Sequence, residues 1–73
     1  MIIFDIPYSP VHGAWPVYAS NGAHPEFKTR RDALRFAVGA ALKAQQSGDV
    51  TLITVEGVDG RRRMFDHEIK GVA

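Results

Sequence analysis

The side chains capable of catalysis are few in this sequence and badly spaced for it. His12, His24 and His67 are the only imidazoles. None lies four residues from another or forms a His-x-His pair, so a metal site lacks the ligand spacing it needs. Ser9, Ser20 and Ser47 fall in turns or at element ends, and none sits in a nucleophile-elbow motif. Asp66-His67-Glu68 places an imidazole between two carboxylates, but adjacent residues cannot line up as a proton relay, and the run reads as solvated chain. Gly57-Val58-Asp59-Gly60 has two glycines but no following Lys-Ser/Thr, so it is a turn and not a phosphate loop. With zero cysteines, a thiol nucleophile, a disulfide scaffold and a Cys-built zinc site are all excluded. The expectation is a chain that is not an enzyme, with no metal, no cofactor and no small-molecule ligand.

The charged chemistry is more concentrated. Of nine Lys and Arg residues, Lys28, Arg30, Arg31 and Arg35 cluster in one stretch and Arg61, Arg62 and Arg63 in another. Two basic clusters can receive an anion if the fold brings them together. That depends on the elements that carry them.

Residues 2–8 alternate Ile2, Phe4, Ile6 and Tyr8 with Ile3, Asp5 and Pro7, the period of a strand. Residues 9–13 have turn chemistry, with Pro10 and Gly13. Residues 14–20 read as a second strand, and Pro16 assigns it to a sheet edge because proline cannot donate to a ladder. Asn21-Gly22 closes it, and residues 21–28 read as a loop. Thr29 is a helix N-cap with Asp32 three residues on, a variant of the capping box. The helix runs to about Ser47, and Gly48 stands where a C′ glycine belongs. Ala33, Leu34, Ala37, Val38, Ala40, Ala41 and Ala44 fall on one arc, flanked by Phe36 and Leu42. Asp32, Arg35, Gly39, Lys43 and Gln46 fall on the opposite arc. Residues 50–56 form the clearest strand, 57–60 a hairpin turn and 61–66 the last strand; 67–73 are expected to fray.

The expected fold is α+β, in the order β-β-α-β-β, with one helix packed on one face of a four-stranded, mainly antiparallel sheet. An edge position for the second strand gives the spatial order 2-1-3-4 with every neighbour antiparallel; the alternative is 1-2-4-3. The 73 residues make a single small domain, with 45% hydrophobic and 23% charged residues. A domain of this size buries only about 60% of its unfolded surface, so it must pack well or self-associate. No apolar run approaches the ~20 residues of a membrane span. Met1 to Asp5 has no basic segment and meets an acid early, unlike a signal peptide. The expected compartment is cytoplasmic.

Three segments resemble a small bacterial family known only as a domain of unknown function. They are Trp15-Pro16-Val17, then Phe27-Lys28-Thr29 followed by Ala33, then the hairpin Gly57-Val58-Asp59-Gly60-Arg61. Arg62 stands where that family usually has an apolar residue, and its usual aromatic end is missing. The resemblance implies the β-β-α-β-β architecture and carries no activity.

On that architecture the 57–60 turn reaches the start of the helix. Seven bases then share one pole with Glu26, Asp32, Glu56 and Asp59, which leaves about +3 there and −2 elsewhere beneath a total of +1. Arg30 and Arg31 have the wrong sign for the helix macrodipole, which favours acids at this end, and with free N–H groups they suit an anion. The plain alternative is a solvated face, with Arg61–Arg63 as gatekeepers against edge pairing. Phe4, Trp15, Phe27, Phe36 and Phe65 read as core or helix margin. Tyr8 and Tyr18 read as exposed, with Tyr18 on the sheet face away from the helix near Ile3 and Leu52. An apolar patch of Ile3, Tyr18 and Leu52 would mark a protein-binding or self-association surface. Two functions follow. The first is a non-catalytic interaction module using that face or an edge strand, with a protein partner or a homodimer. The second is nucleic-acid or polyanion binding through Lys28, Arg30, Arg31, Arg35, Arg61, Arg62 and Arg63.

Overall fold

A computed structural model describes residues 1–9 and 13–65. The elements are β1 (Ile2–Ile6), β2 (Trp15–Pro16), β3 (Tyr18–Ala19), β4 (Glu26–Phe27), α1 (Arg30–Gln46), β5 (Thr51–Glu56) and β6 (Arg62–Met64). One helix packs on a four-stranded sheet of order β3-β1-β5-β6, beside a two-stranded ribbon of β2 and β4. This is the expected α+β layer arrangement, and the sheet order is the expected 2-1-3-4. The fraying expected for 67–73 lies outside the described residues.

Two expectations are corrected. The stretch 14–20 is not one strand: Val17, fully buried, divides it into β2 in the ribbon and β3 in the main sheet. The Val17 N–H donates to the Pro25 carbonyl at 2.9 Å, which ties the crossing point to the returning chain. Nor is every neighbour antiparallel. β1 and β5 run parallel, with Ile2 opposite Thr51 and Ile6 opposite Val55. The cause is β4, in the stretch expected to be loop. After β3 runs back against β1 (Phe4 opposite Ala19), β4 turns the chain forward again beside β2 (Phe27 opposite Trp15). The helix therefore begins at the end of the sheet where β1 finishes. It carries the chain back, and β5 starts level with β1.

The helix ends follow their residue types. Thr29 has extended backbone, and its Oγ1 accepts from the Asp32 N–H at 3.0 Å, satisfying one orphan donor. At the other end Gly48 takes φ +90°, its N–H donates to the Gln45 carbonyl, and the Asp49 N–H donates to the Ala44 carbonyl. This 5→2 and 6→1 pair is a Schellman motif.

Ala33, Ala37, Val38 and Ala41 are the buried helix residues. They meet Phe4, Ile6, Val17, Ala19 and Ile53, the buried apolar residues of the strands and their junction. Alanine keeps the helix close to the sheet, so Ile6 and Ile53 are sealed with little side-chain volume above them. Phe27 and Phe36 stack tilted at 5.3 Å along the margin, and Tyr8 meets Trp15 edge-on at 5.9 Å. Leu42, expected to cover the margin, is exposed instead.

Candidate functional site on the outer sheet face

Alternation along β1 and β5 sends Phe4, Ile6, Thr51 and Ile53 toward the helix. Ile3, Asp5, Leu52, Thr54 and Glu56 therefore point the other way. Among the described residues no second layer covers this outer face. Its two halves differ in chemistry.

The half toward the strand ends at Glu56 and Asp5 is ionic. Asp5 sits beside Thr54 on β5, and Arg62 on β6 lies opposite Glu56. Arg62 Nε donates to Asp5 Oδ1 at 3.0 Å and Nη2 to Oδ2 at 3.2 Å, a two-pronged pair. Thr54 Oγ1 donates to Asp5 Oδ1 at 2.7 Å. Glu56 Oε1 accepts from the Tyr8 N–H at 2.9 Å, while Oε2 lies 3.9 Å from Arg62 Nη1. Partial burial alone would raise the Asp5 pKa. The hydrogen bonds from Arg62 and Thr54, with the Arg62 charge, outweigh that and hold the carboxyl below its ordinary value. The same partnership raises Arg62 above its usual range.

The other half is apolar. Ile3 and Leu52 are register neighbours, and Met1 and Val50 continue the same alternation one step before the strands, where the Ile2 N–H donates to the Val50 carbonyl at 2.8 Å. Met1 is 73% exposed, Val50 62% and Ile3 38%; Leu52 is half-buried. Tyr18 and Met64 flank the Asp5–Thr54 row from the two outer strands, both exposed. His24 meets the Tyr18 ring edge-on at 5.4 Å. Five of the eight large apolar or aromatic side chains exposed among the described residues belong to this one face.

The expected patch of Ile3, Tyr18 and Leu52 thus lies on one face, with Ile3 and Leu52 in contact register and Tyr18 two residues along, beside Asp5. Met1, Val50 and Met64 were not foreseen as part of it. The period-two pattern carried back from Ile3 and from Leu52 would have found the first two. Met64 needed the β5–β6 register.

The basic clusters do meet at one end, but not on one surface. Arg30 and Arg63 both line an open groove of about 420 Å³ between the first turn of α1 and the β5–β6 hairpin, floored by Leu34, Val55 and Phe65. Arg63 Nη2 donates to Asp59 Oδ2 at 3.0 Å, and that contact together with the Arg61 N–H holds the Asp59 carboxyl below its ordinary value. Arg62 faces the other side of the sheet. Asp5, assigned from sequence to the opposite pole, is at this end because β1 is parallel to β5. The pole carries about +2 rather than +3. Lys28, Arg30, Arg31, Arg35 and Arg61 are exposed and make no ion pair among the described residues.

Among the described residues, no three His, Cys, Asp or Glu side chains converge at metal-binding distance, and no helix is long and apolar enough to cross a membrane. His12, His67 and the Asp66–Glu68 run lie outside the described residues. The three motifs of the family resemblance fall on β2, on the helix cap and on the β5–β6 turn. Compared with protein-family models, with curated proteins and with solved structures, the chain matches none.

Proposed function

We propose that this chain is a non-catalytic, cytoplasmic interaction module that binds a protein, a foreign partner or its own copy, through the outer face of its sheet. The observation that carries the reading is the apolar half of that face, which no second layer covers among the described residues: Ile3 and Leu52 side by side on the parallel strands, with Met1 and Val50 one step before them. Apolar side chains left together in water are a standing source of association free energy, at about 25 cal/mol per Å² removed from solvent. The rigid sheet beneath them presents the patch with no ordering cost of its own.

Panning a peptide-display library against the immobilised chain tests this. Enriched peptides should be apolar, should shift NMR resonances of β1 and β5, and should bind a Leu52→Glu variant at least tenfold more weakly. Peptides that bind both proteins equally, or that shift only α1, refute it.

A second reading, polyanion binding, is supported by Lys28, Arg30, Arg31, Arg35 and Arg61, which are exposed and make no ion pair among the described residues. It calls for salt-sensitive retention on heparin that Arg30→Glu with Arg31→Glu removes. Elution of wild type and variant together refutes it.

A further inference from the structure

We infer that the groove between the start of α1 and the β5–β6 hairpin binds a small organic monoanion, one carboxylate on a compact apolar body. The inference stands apart from the outer-face reading. It assigns a small-molecule ligand where the sequence led to the expectation of none.

The groove is divided in chemistry as such a ligand is. Leu34, Val55 and Phe65 line it, and each is partly buried and packed against the core, so the apolar floor is fixed. Arg30 from the helix and Arg63 from β6 line it as well, and both are exposed. An apolar surface with a few charged groups at its margin is the usual form of a ligand site, and such sites hold roughly 300–1,000 Å³. This groove holds about 420 Å³.

Charge sets the sign and the number. No carboxylate lines the groove. Asp59 is the one acid bonded to either arginine among the described residues, through Arg63 Nη2 at 3.0 Å. One positive charge is therefore in excess, and a single carboxylate matches it. The remaining N–H donors of the Arg63 guanidinium make no hydrogen bond among the described residues, and a planar guanidinium meets a carboxylate by charge-assisted bonds. Arg30 opens α1, so the positive end of the helix adds to the same attraction.

The position of Arg63 is prepared by a glycine. A Cβ at Gly57 would stand 2.9 Å from Arg63 Nη1. The guanidinium thus lies against bare backbone, with Asp59 holding it from the hairpin turn. A head already placed costs less to order when the ligand arrives.

Size selects the kind of occupant. Seven residues line the groove, whereas a protein interface engages about 20–30 a side. That is the scale of a small molecule and not of a folded partner. Residues 66–73 follow Phe65 and lie outside the described residues; Asp66 and Glu68 belong to them, so the experiment includes both.

NMR titration of the isotope-labelled full chain with phenylacetate tests the inference. Saturable shifts are expected at Leu34, Val55, Gly57 and Phe65, with a dissociation constant on the order of 1 mM, weak because the open groove leaves part of the ligand in water. Phenylacetamide, which lacks the charge, and acetate, which lacks the apolar body, should each bind about tenfold more weakly. Arg63→Gln and Arg30→Gln, both at exposed positions, should each weaken phenylacetate about fivefold with an unchanged circular dichroism spectrum. Gly57→Ala should weaken it with every charge kept. Arg35→Gln, outside the groove, and the pair Asp66→Asn with Glu68→Gln should leave it within about twofold. Equal binding of the amide, indifference to both groove arginines, or an equal loss in Arg35→Gln overturns the inference. A gain of about fivefold or more in the Asp66–Glu68 double variant also overturns it, because the groove is then filled by the chain's own end.

Discussion

Replacing Asp5 by alanine should weaken the fold by about 2 kcal/mol, and the cost should divide between two partners. Asp5 accepts two bonds from Arg62, at 3.0 and 3.2 Å, and one from Thr54 at 2.7 Å. The Arg62 side chain is 52% exposed and Asp5 23%, so solvent screens the ion pair and limits it to about 0.5–1 kcal/mol despite its two-pronged geometry. The Thr54 hydroxyl is partly buried and bonds a charged acceptor, which contributes about 1–1.5 kcal/mol. For a domain of this size a 2 kcal/mol loss lowers Tm by roughly 8–16 °C. The assay is urea unfolding on Asp5→Ala, Arg62→Ala, Thr54→Val and the two double variants that include Asp5→Ala. Coupling of about 0.5–1 kcal/mol is expected between Asp5 and Arg62, falling with added salt. About 1 kcal/mol is expected between Asp5 and Thr54, insensitive to salt. If both cycles are additive to within about 0.3 kcal/mol, the network contributes nothing to the fold. The outer face would then have no ionic half built into it.

Four further outcomes are expected. Because Asp5 titrates lower in the folded chain than in the unfolded one, its contribution is complete above the unfolded carboxylate value of about 3.9 and is lost as pH falls through the folded value; unfolding midpoints of wild type and Asp5→Asn should therefore converge as pH falls below the unfolded value. Thr51 is 5% exposed and its Oγ1 has no hydrogen-bond partner among the described residues, so Thr51→Val should stabilise by about 1 kcal/mol in urea unfolding. Gly48 adopts φ +90° with open space around it, so Gly48→Ala should cost about 1–2 kcal/mol by backbone strain alone, without loss of packing. Thr29→Ala removes the bond to the Asp32 N–H and should cost about 1 kcal/mol, seen as an earlier thermal transition and faster amide exchange in the first helical turn.

The helix was legible because its signals are local. Thr29, the alanine arc and Gly48 each act within one or two turns, and Asp32, Arg35, Gly39, Lys43 and Gln46 are exposed as their spacing requires. β1 and β5 were legible for the same reason, since alternation decides which side chains can face a helix wherever the strand goes. β4 was not. Glu26 and Phe27 form two residues of strand, too short for any period to register. They pair only because Trp15 and Pro16 lie alongside.

That short ribbon had large consequences for the site. It reverses the chain once more, makes β1 and β5 parallel, and so places Asp5 beside Thr54 and within reach of Arg62 from 57 residues away. From sequence, Arg61, Arg62 and Arg63 form one basic run; β6 pleating sends Arg62 to Asp5 on one side and leaves Arg63 with Asp59 and the groove on the other.

The sequence by itself determined the helix and its caps, the two long strands, the layer architecture and the candidate apolar positions Ile3, Tyr18 and Leu52. Local sterics, capping and periodicity are properties of neighbouring residues. Only the tertiary structure decided strand direction, the addition of Met64 to that face, and the division of the face into an apolar half and an ionic half satisfied from within. Each of these depends on residues far apart in the chain arriving at one register, and that is set by a two-strand pairing too short to carry a signal of its own.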